Sequence, residues 1–183
     1  MDYPSVFGTE YLKENLIIKT SVYLRAYPSN KMTASSLIYD YLHNNGYDEL
    51  IFEHDLEPFD LNVQTAERTL IDKLFALGDY YLADKVTEHS RHIYDIYKLL
   101  NVVRLNDDLK TLVVEVAAER KTHTACLSAQ DGVDIAKLLQ EIIDKKIYKE
   151  DYDSITSALL FEPVEYNTAV KALETVLASG IFG

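Results

Sequence analysis

Cysteine occurs once in the 183 residues, as Cys126, and tryptophan does not occur at all. A single thiol excludes an internal disulfide and any multi-thiolate metal site, and it fits a reducing compartment. Basic residues are also short: Lys and Arg number 18 against 30 Asp and Glu, a formal charge of −12. That balance excludes a non-specific nucleic-acid coat, so any contact with RNA or DNA would be local. No apolar run approaches the ~18 residues that a membrane-spanning helix needs. The start, Met1-Asp2-Tyr3-Pro4, has neither the basic stretch nor the apolar stretch of a secretory signal. A cytoplasmic protein without membrane contact is expected. With only six Gly and four Pro there are few breakers, which favours long helices over many short strands.

What is present is enough apolar material for one core with a small appendage, at 48% hydrophobic residues. Residues 15–27 (NLIIKTSVYLRAY) alternate at period two and predict a strand that Pro28-Ser29-Asn30 ends. Thr33 to Asn45 places Leu37, Ile38, Tyr41 and Leu42 on one helical face, with Gly46 closing it. Glu49–Glu53 and Phe59–Gln64 read as two further strands. From Thr65 the period becomes 3.6. Helices are predicted over 66–82, 90–101, from Asn106 onward, over 133–146, and near 151–161 and 164–179. The fold class expected is α+β, mainly α: a small sheet with a helix in 1–65, then a helical bundle in 66–183. Asn106 would cap its helix, with Asp107 and Asp108 in the first turn where the dipole favours carboxylates. Residues 32–67 hold many carboxylates and no Lys or Arg, which reads as a solvated acidic face or a dock for a basic partner.

Most candidate chemistry fails on context. His54-Asp55 lies between strand-like segments, away from further metal ligands. Arg120-Lys121-Thr122-His123 is too tight for the arginine–histidine spacing of small helical ribonucleases. Asp151-Tyr152-Asp153 would share a face only on a strand, and the local pattern is helical, so N-terminal capping accounts for it better. There is no Gly-rich phosphate loop and no nucleophile elbow. What survives is Glu67-Arg68-Thr69-Leu70-Ile71-Asp72-Lys73-Leu74, followed by Ser90-Arg91-His92-Ile93-Tyr94-Asp95-Ile96-Tyr97-Lys98. On the second of these helices Arg91, Asp95 and Lys98 lie opposite the apolar stripe. Arg91 and Asp95, at i, i+4, would form a surface ion pair worth a few tenths of a kcal/mol, roughly.

The run ERTLIDKLFAL…SRHIYDIYKLL resembles the signature of the nucleotidyl transferase AbiEii/AbiGii toxin family. The likeness extends upstream through Ser35–Leu42 and Pro58–Gln64 and, more weakly, downstream through Cys126–Ala129 and Asp151-Tyr152. It implies a polymerase-β-like nucleotidyltransferase head joined to a helical body, in a bacterial toxin–antitoxin or phage-defence setting. By that resemblance Lys73 contacts the nucleotide triphosphate, and Arg91 and Asp95 are the Arg/Asp motif lining the same cleft as catalytic groups. Mg²⁺ and an NTP are the cofactor and substrate implied for a complete member, with an RNA acceptor and an antitoxin as partners.

One departure limits the expectation. The family's sheet opens with a Gly-Ser turn and an Asp-x-Asp strand that binds metal, chemistry that nucleotidyl transfer needs. This sequence has no Gly-Ser dipeptide, and its single Asp-x-Asp is the helical pair Asp151 and Asp153. Lys19 stands on the strand where a third carboxylate is expected. The chain therefore reads as the C-terminal portion of such a protein, without a metal site or autonomous catalysis. Self-association through the 15–27 strand edge is expected with it. The alternative is a non-catalytic interaction module, an antitoxin-like or toxin-binding helical domain.

Overall fold

The computed structural model describes residues 27–183, which divide between Thr65 and Ala66 into two units. The first is built on an antiparallel ribbon of β1 (Ser29–Ala34) and β2 (Phe59–Gln64), registered Ser29 to Gln64 and Ala34 to Phe59. Asp60 ties the strands through side chains: it accepts from Thr33 Oγ1 at 2.8 Å and pairs with Lys31 Nζ at 2.9 Å. Two helices bridge the strands, α1 (Leu37–Asn44) and α2 (Asp48–Glu53). Ser36 starts α1 by accepting from the Tyr39 amide at 3.0 Å, and Gly46 turns the chain away at φ +75°.

Several expectations change here. The Pro28-Ser29-Asn30 stop opens β1 instead. Proline has no amide to give, so it is tolerated at a strand entrance, and its carbonyl accepts from Thr65 N at 3.0 Å. Thr33 and Ala34 are held in the ladder, so the helix begins at Leu37 and not at Thr33. Residues 49–53 are helical: a short apolar run does not fix its own period, and Asp48 and Glu49 favour a helix start. The apolar face read in α1 is open, with Leu37 86%, Ile38 60% and Tyr41 63% exposed. The strand read at 15–27, with the self-association expected from its edge, lies outside the described residues.

The second unit is organised around α3 (Ala66–Leu82), whose buried residues Leu70, Ile71, Leu74, Phe75 and Leu77 span an arc of about 160° around the helix. A face that wide takes more than one neighbour to cover. α4 (Arg91–Leu99), α5 (Asp107–Lys121), a 3-10 turn (Leu127–Ala129) and α6 (Ile135–Asp144) all pack on it. Gly78 permits the closest approach, since a Cβ there would lie 2.8 Å from Ser128 Cβ and from a Leu138 methyl. Asn106 caps α5 as expected, accepting from Leu109 N at 3.0 Å. Lys149–Asp151 (α7) runs through a π-helical turn (Tyr152–Thr156) into Ser157–Leu159 (α8). The last helix, α9 (Tyr166–Ala178), covers α4 and α6 and ends before Gly180 at φ +73°. Cys126 is buried, and burial raises its thiol above the ordinary range, so it stays protonated. No described helix is long and apolar enough to cross a membrane.

Candidate functional site

α3 and α4 run side by side, and each presents one polar position where they meet. Lys73 Nζ lies 2.8 Å from Asp95 Oδ2, with both side chains about one-third exposed. The pair stands on the wall of a hollow of about 410 Å³, lined also by Thr69, Tyr94, Lys98, Leu99 and Val102. Lys98 extends across the Tyr94 ring and reaches Glu162 at 3.9 Å. The hollow thus offers two ammonium groups, one hydroxyl and one aromatic face.

The i, i+4 pair read between Arg91 and Asp95 does not form. Arg91 opens α4 and folds back, donating from Nη1 to the Glu88 carbonyl at 2.8 Å, while Asp95 turns to α3. Arg91 does not line the hollow. Of the three residues singled out in the sequence, the structure brings Lys73 and Asp95 together and leaves Arg91 at the helix start.

Sequence reasoning missed His92. Its side chain is 9% exposed, and its Nδ1 lies 3.6 Å from the oxygen that Lys73 holds. The ring is parallel to Tyr80 at 5.7 Å and to His89 at 6.1 Å. Burial lowers the imidazole pKa, and Lys73 and Arg91 lower it further, against the pull of Asp95. His89 is lowered by burial too. Burial alone would raise the Asp95 carboxyl, but His92 and Lys73 together hold it below the usual range. A histidine three residues before an aspartate shares its helix face, and that was the available signal.

The position of α4 is set from a distance. Asp151 accepts from the Glu88 amide at 2.8 Å and the Ser90 amide at 3.0 Å, and the Ser90 and Thr156 hydroxyls lie 2.7 Å apart. Neither carboxylate makes the N-terminal side-chain cap read for the Asp151–Asp153 pair; Asp151 instead accepts from the loop amides that lead into α4. Asp153 points outward to Lys149.

The buried histidine has a thermodynamic consequence. An unfolded histidine titrates near 6.5, above the lowered folded values of His92 and His89. Between those values the unfolded chain binds more protons, so stability is complete above 6.5 and falls as pH drops through the folded values. Urea midpoints should be lower at pH 5.5 than at pH 7.5, and His92→Gln should flatten the difference. An unchanged midpoint in the native chain would contradict the burial of a neutral imidazole.

The donor set does not suit Mg²⁺. Among the described residues the hollow has one carboxylate, its near oxygen already faces two nitrogens, and magnesium takes oxygen ligands in near-octahedral array. Among the described residues no group of three or more His, Cys, Asp or Glu is placed to hold a metal ion.

These features define a mainly helical α+β protein whose body carries a lysine–aspartate pair on an open hollow. The family model described as nucleotidyl transferase AbiEii toxin, type IV TA system, matches residues 2–179. With nearly its whole length matched, the chain belongs to the AbiEii nucleotidyl transferase toxin family. No curated protein and no solved structure matches it significantly.

Proposed function

We propose that the helical body binds the triphosphate of a nucleoside triphosphate in the Lys73–Asp95 hollow, and that this chain alone does not complete nucleotide transfer. The observation that carries the reading is the meeting of Lys73 and Asp95 at 2.8 Å on that wall. An ammonium held by a partly exposed carboxylate can exchange it for phosphate oxygens at small cost, since both states are charge-assisted. Lys98 adds a second cation, and Tyr94 a ring on which a base can lie. Asp95 keeps a second oxygen, not held by Lys73, as the acceptor for a hydroxyl proton. Transfer needs metal-binding carboxylates that the hollow does not contain, so Mg²⁺ would be held by groups supplied from elsewhere. A type IV antitoxin, an RNA acceptor, and a bacterial, cytoplasmic role in phage defence follow as the setting of this reading.

Lys73→Ala should weaken ATP or GTP binding by about 10- to 100-fold, the worth of one charge-assisted contact of about 1.5–3 kcal/mol. Isothermal titration checks this, and labelled NTP with bulk RNA should give no incorporation by the chain alone. Unchanged affinity in Lys73→Ala would sink the binding reading. Robust incorporation that disappears in Lys73→Ala would sink the expectation of inactivity.

The open apolar side chains of residues 27–65, among them Leu37 and Phe52 at 79%, favour a second reading, the protein-interaction module. That unit carries seven carboxylates against Lys31, so its partner would be basic. Absent nucleotide binding, with a basic protein retained at low salt and released at high salt, would decide for it.

A further inference from the structure

His92 has no role in the reading above, yet it is the most constrained titratable group near the hollow. Its Nδ1 is shut off from solvent and makes no hydrogen bond. The 3.6 Å to Asp95 Oδ2 is too long for a hydrogen bond but close enough for strong electrostatic coupling. A small rotation of Asp95 would close it, and what holds that carboxylate away is Lys73, 2.8 Å off on the same oxygen. Two nitrogens thus compete for one acceptor, and one of them sits on the hollow.

We propose that His92 is a positioning residue for the Lys73–Asp95 pair: when Lys73 leaves Asp95 for a phosphate oxygen, the imidazole takes its place on Oδ2 and binds a proton from solvent. This rests on the hollow being a phosphate site. A half-buried carboxylate stripped of its cation is costly, and the exchange keeps it paired throughout. The body gains one proton as it gains the anion, which offsets one unit of the charge brought in. Among the described residues, the titratable and charged groups facing His92 are Lys73 and Tyr80 from α3, His89 from the preceding loop, and Arg91 and Asp95 from α4 itself. The residues α9 buries are apolar apart from the Tyr166 hydroxyl, so that neighbour adds no charge of its own there. Lys73 and Arg91 oppose the proton and Asp95 draws it in. Withdrawing Lys73 onto an anion removes one opponent and adds a negative charge nearby.

Lys73→Met imitates the withdrawn lysine without any ligand. Imidazole ¹⁵N NMR titrations should show the His92 midpoint raised by about one unit in Lys73→Met, with hydrogen on Nδ1. Adding Asp95→Asn to that variant should cancel the rise. In the native chain, titration with ATP in two buffers of different ionisation enthalpy near pH 6.5 should show proton uptake beyond that seen with His92→Gln. A His92 midpoint unmoved by Lys73→Met, with ATP binding by the native chain intact, would overturn the exchange alone. Absence of any ATP binding would overturn the phosphate reading and the exchange with it.

Discussion

Replacing Asp79 by alanine should cost the helical body about 1.5–3 kcal/mol, because Arg120 loses one of its two carboxylates and the Ser128 amide loses its acceptor. Asp79 accepts from Arg120 Nη2 at 2.5 Å, from the Ser128 amide at 2.7 Å, and lies 2.6 Å from the Ser128 hydroxyl. Arg120 is 5% exposed, rests over the Phe75 ring, and reaches Asp72 Oδ1 at 2.9 Å. Asp72 in turn accepts from Arg68 Nε at 3.0 Å, and Arg68 pairs with Glu119 at 2.8 Å. The network fastens α3 to α5 and to the 3-10 turn. With domain stabilities of about 5–15 kcal/mol, a loss of that size removes a sizeable part of the fold's margin. Urea unfolding would measure it. Asp79→Asn should lose less, because a carbonyl still meets the Ser128 amide. A change under about 1 kcal/mol in Asp79→Ala would mean the network contributes no more than a surface pair.

The second large effect is expected at Asp151, and it should be felt in two places. Asp151→Ala leaves the Glu88 and Ser90 amides without their acceptor, at about 1–3 kcal/mol for each group that stays buried. Because those amides fix the start of α4, the Lys73–Asp95 contact should loosen and ATP affinity fall, although Asp151 does not line the hollow. Asp153→Ala is the control. Its carboxylate is nearly half exposed and meets only Lys149 in the structure's ion pairs, so both melting temperature and affinity should barely move. Equal effects from the two aspartates would contradict the anchoring of the 88–90 loop by Asp151.

The helical body was legible because its period is unbroken. The stripe Leu70, Ile71, Leu74, Leu77 and the stripe Ile93, Ile96 are buried as their spacing demands, and Asn106 caps where it should. Phe59–Gln64 was legible by alternation. The short segments were not. Six residues at 48–53 fit either period, and the ladder that claims Thr33 is made with Asp60, 27 residues away. The site was half legible for the same reason. Lys73 and Asp95 stood out by resemblance, but Arg91 reads as a partner for Asp95 only while the neighbouring helix is unknown. The burial of Arg68 and Arg120 was not read from the sequence. The clue was on α3, where Arg68, Asp72 and Asp79 fall within about 40° of one another around the axis.

The π-helical turn sets a rotational phase. In a regular α-helix, residues five apart are about 500° along the spiral, leaving them some 140° out of alignment. A turn closed between i and i+5 restores that alignment, which lets Asp151 and Thr156 both grip the chain that leads into α4. Forcing 152–156 into a regular α-helix of unchanged length would give a more ideal spiral and a worse protein, because one of those two anchors would swing off its target. The irregularity is thus the gear tooth that keeps the C-terminal segment in step with the helix bearing Asp95.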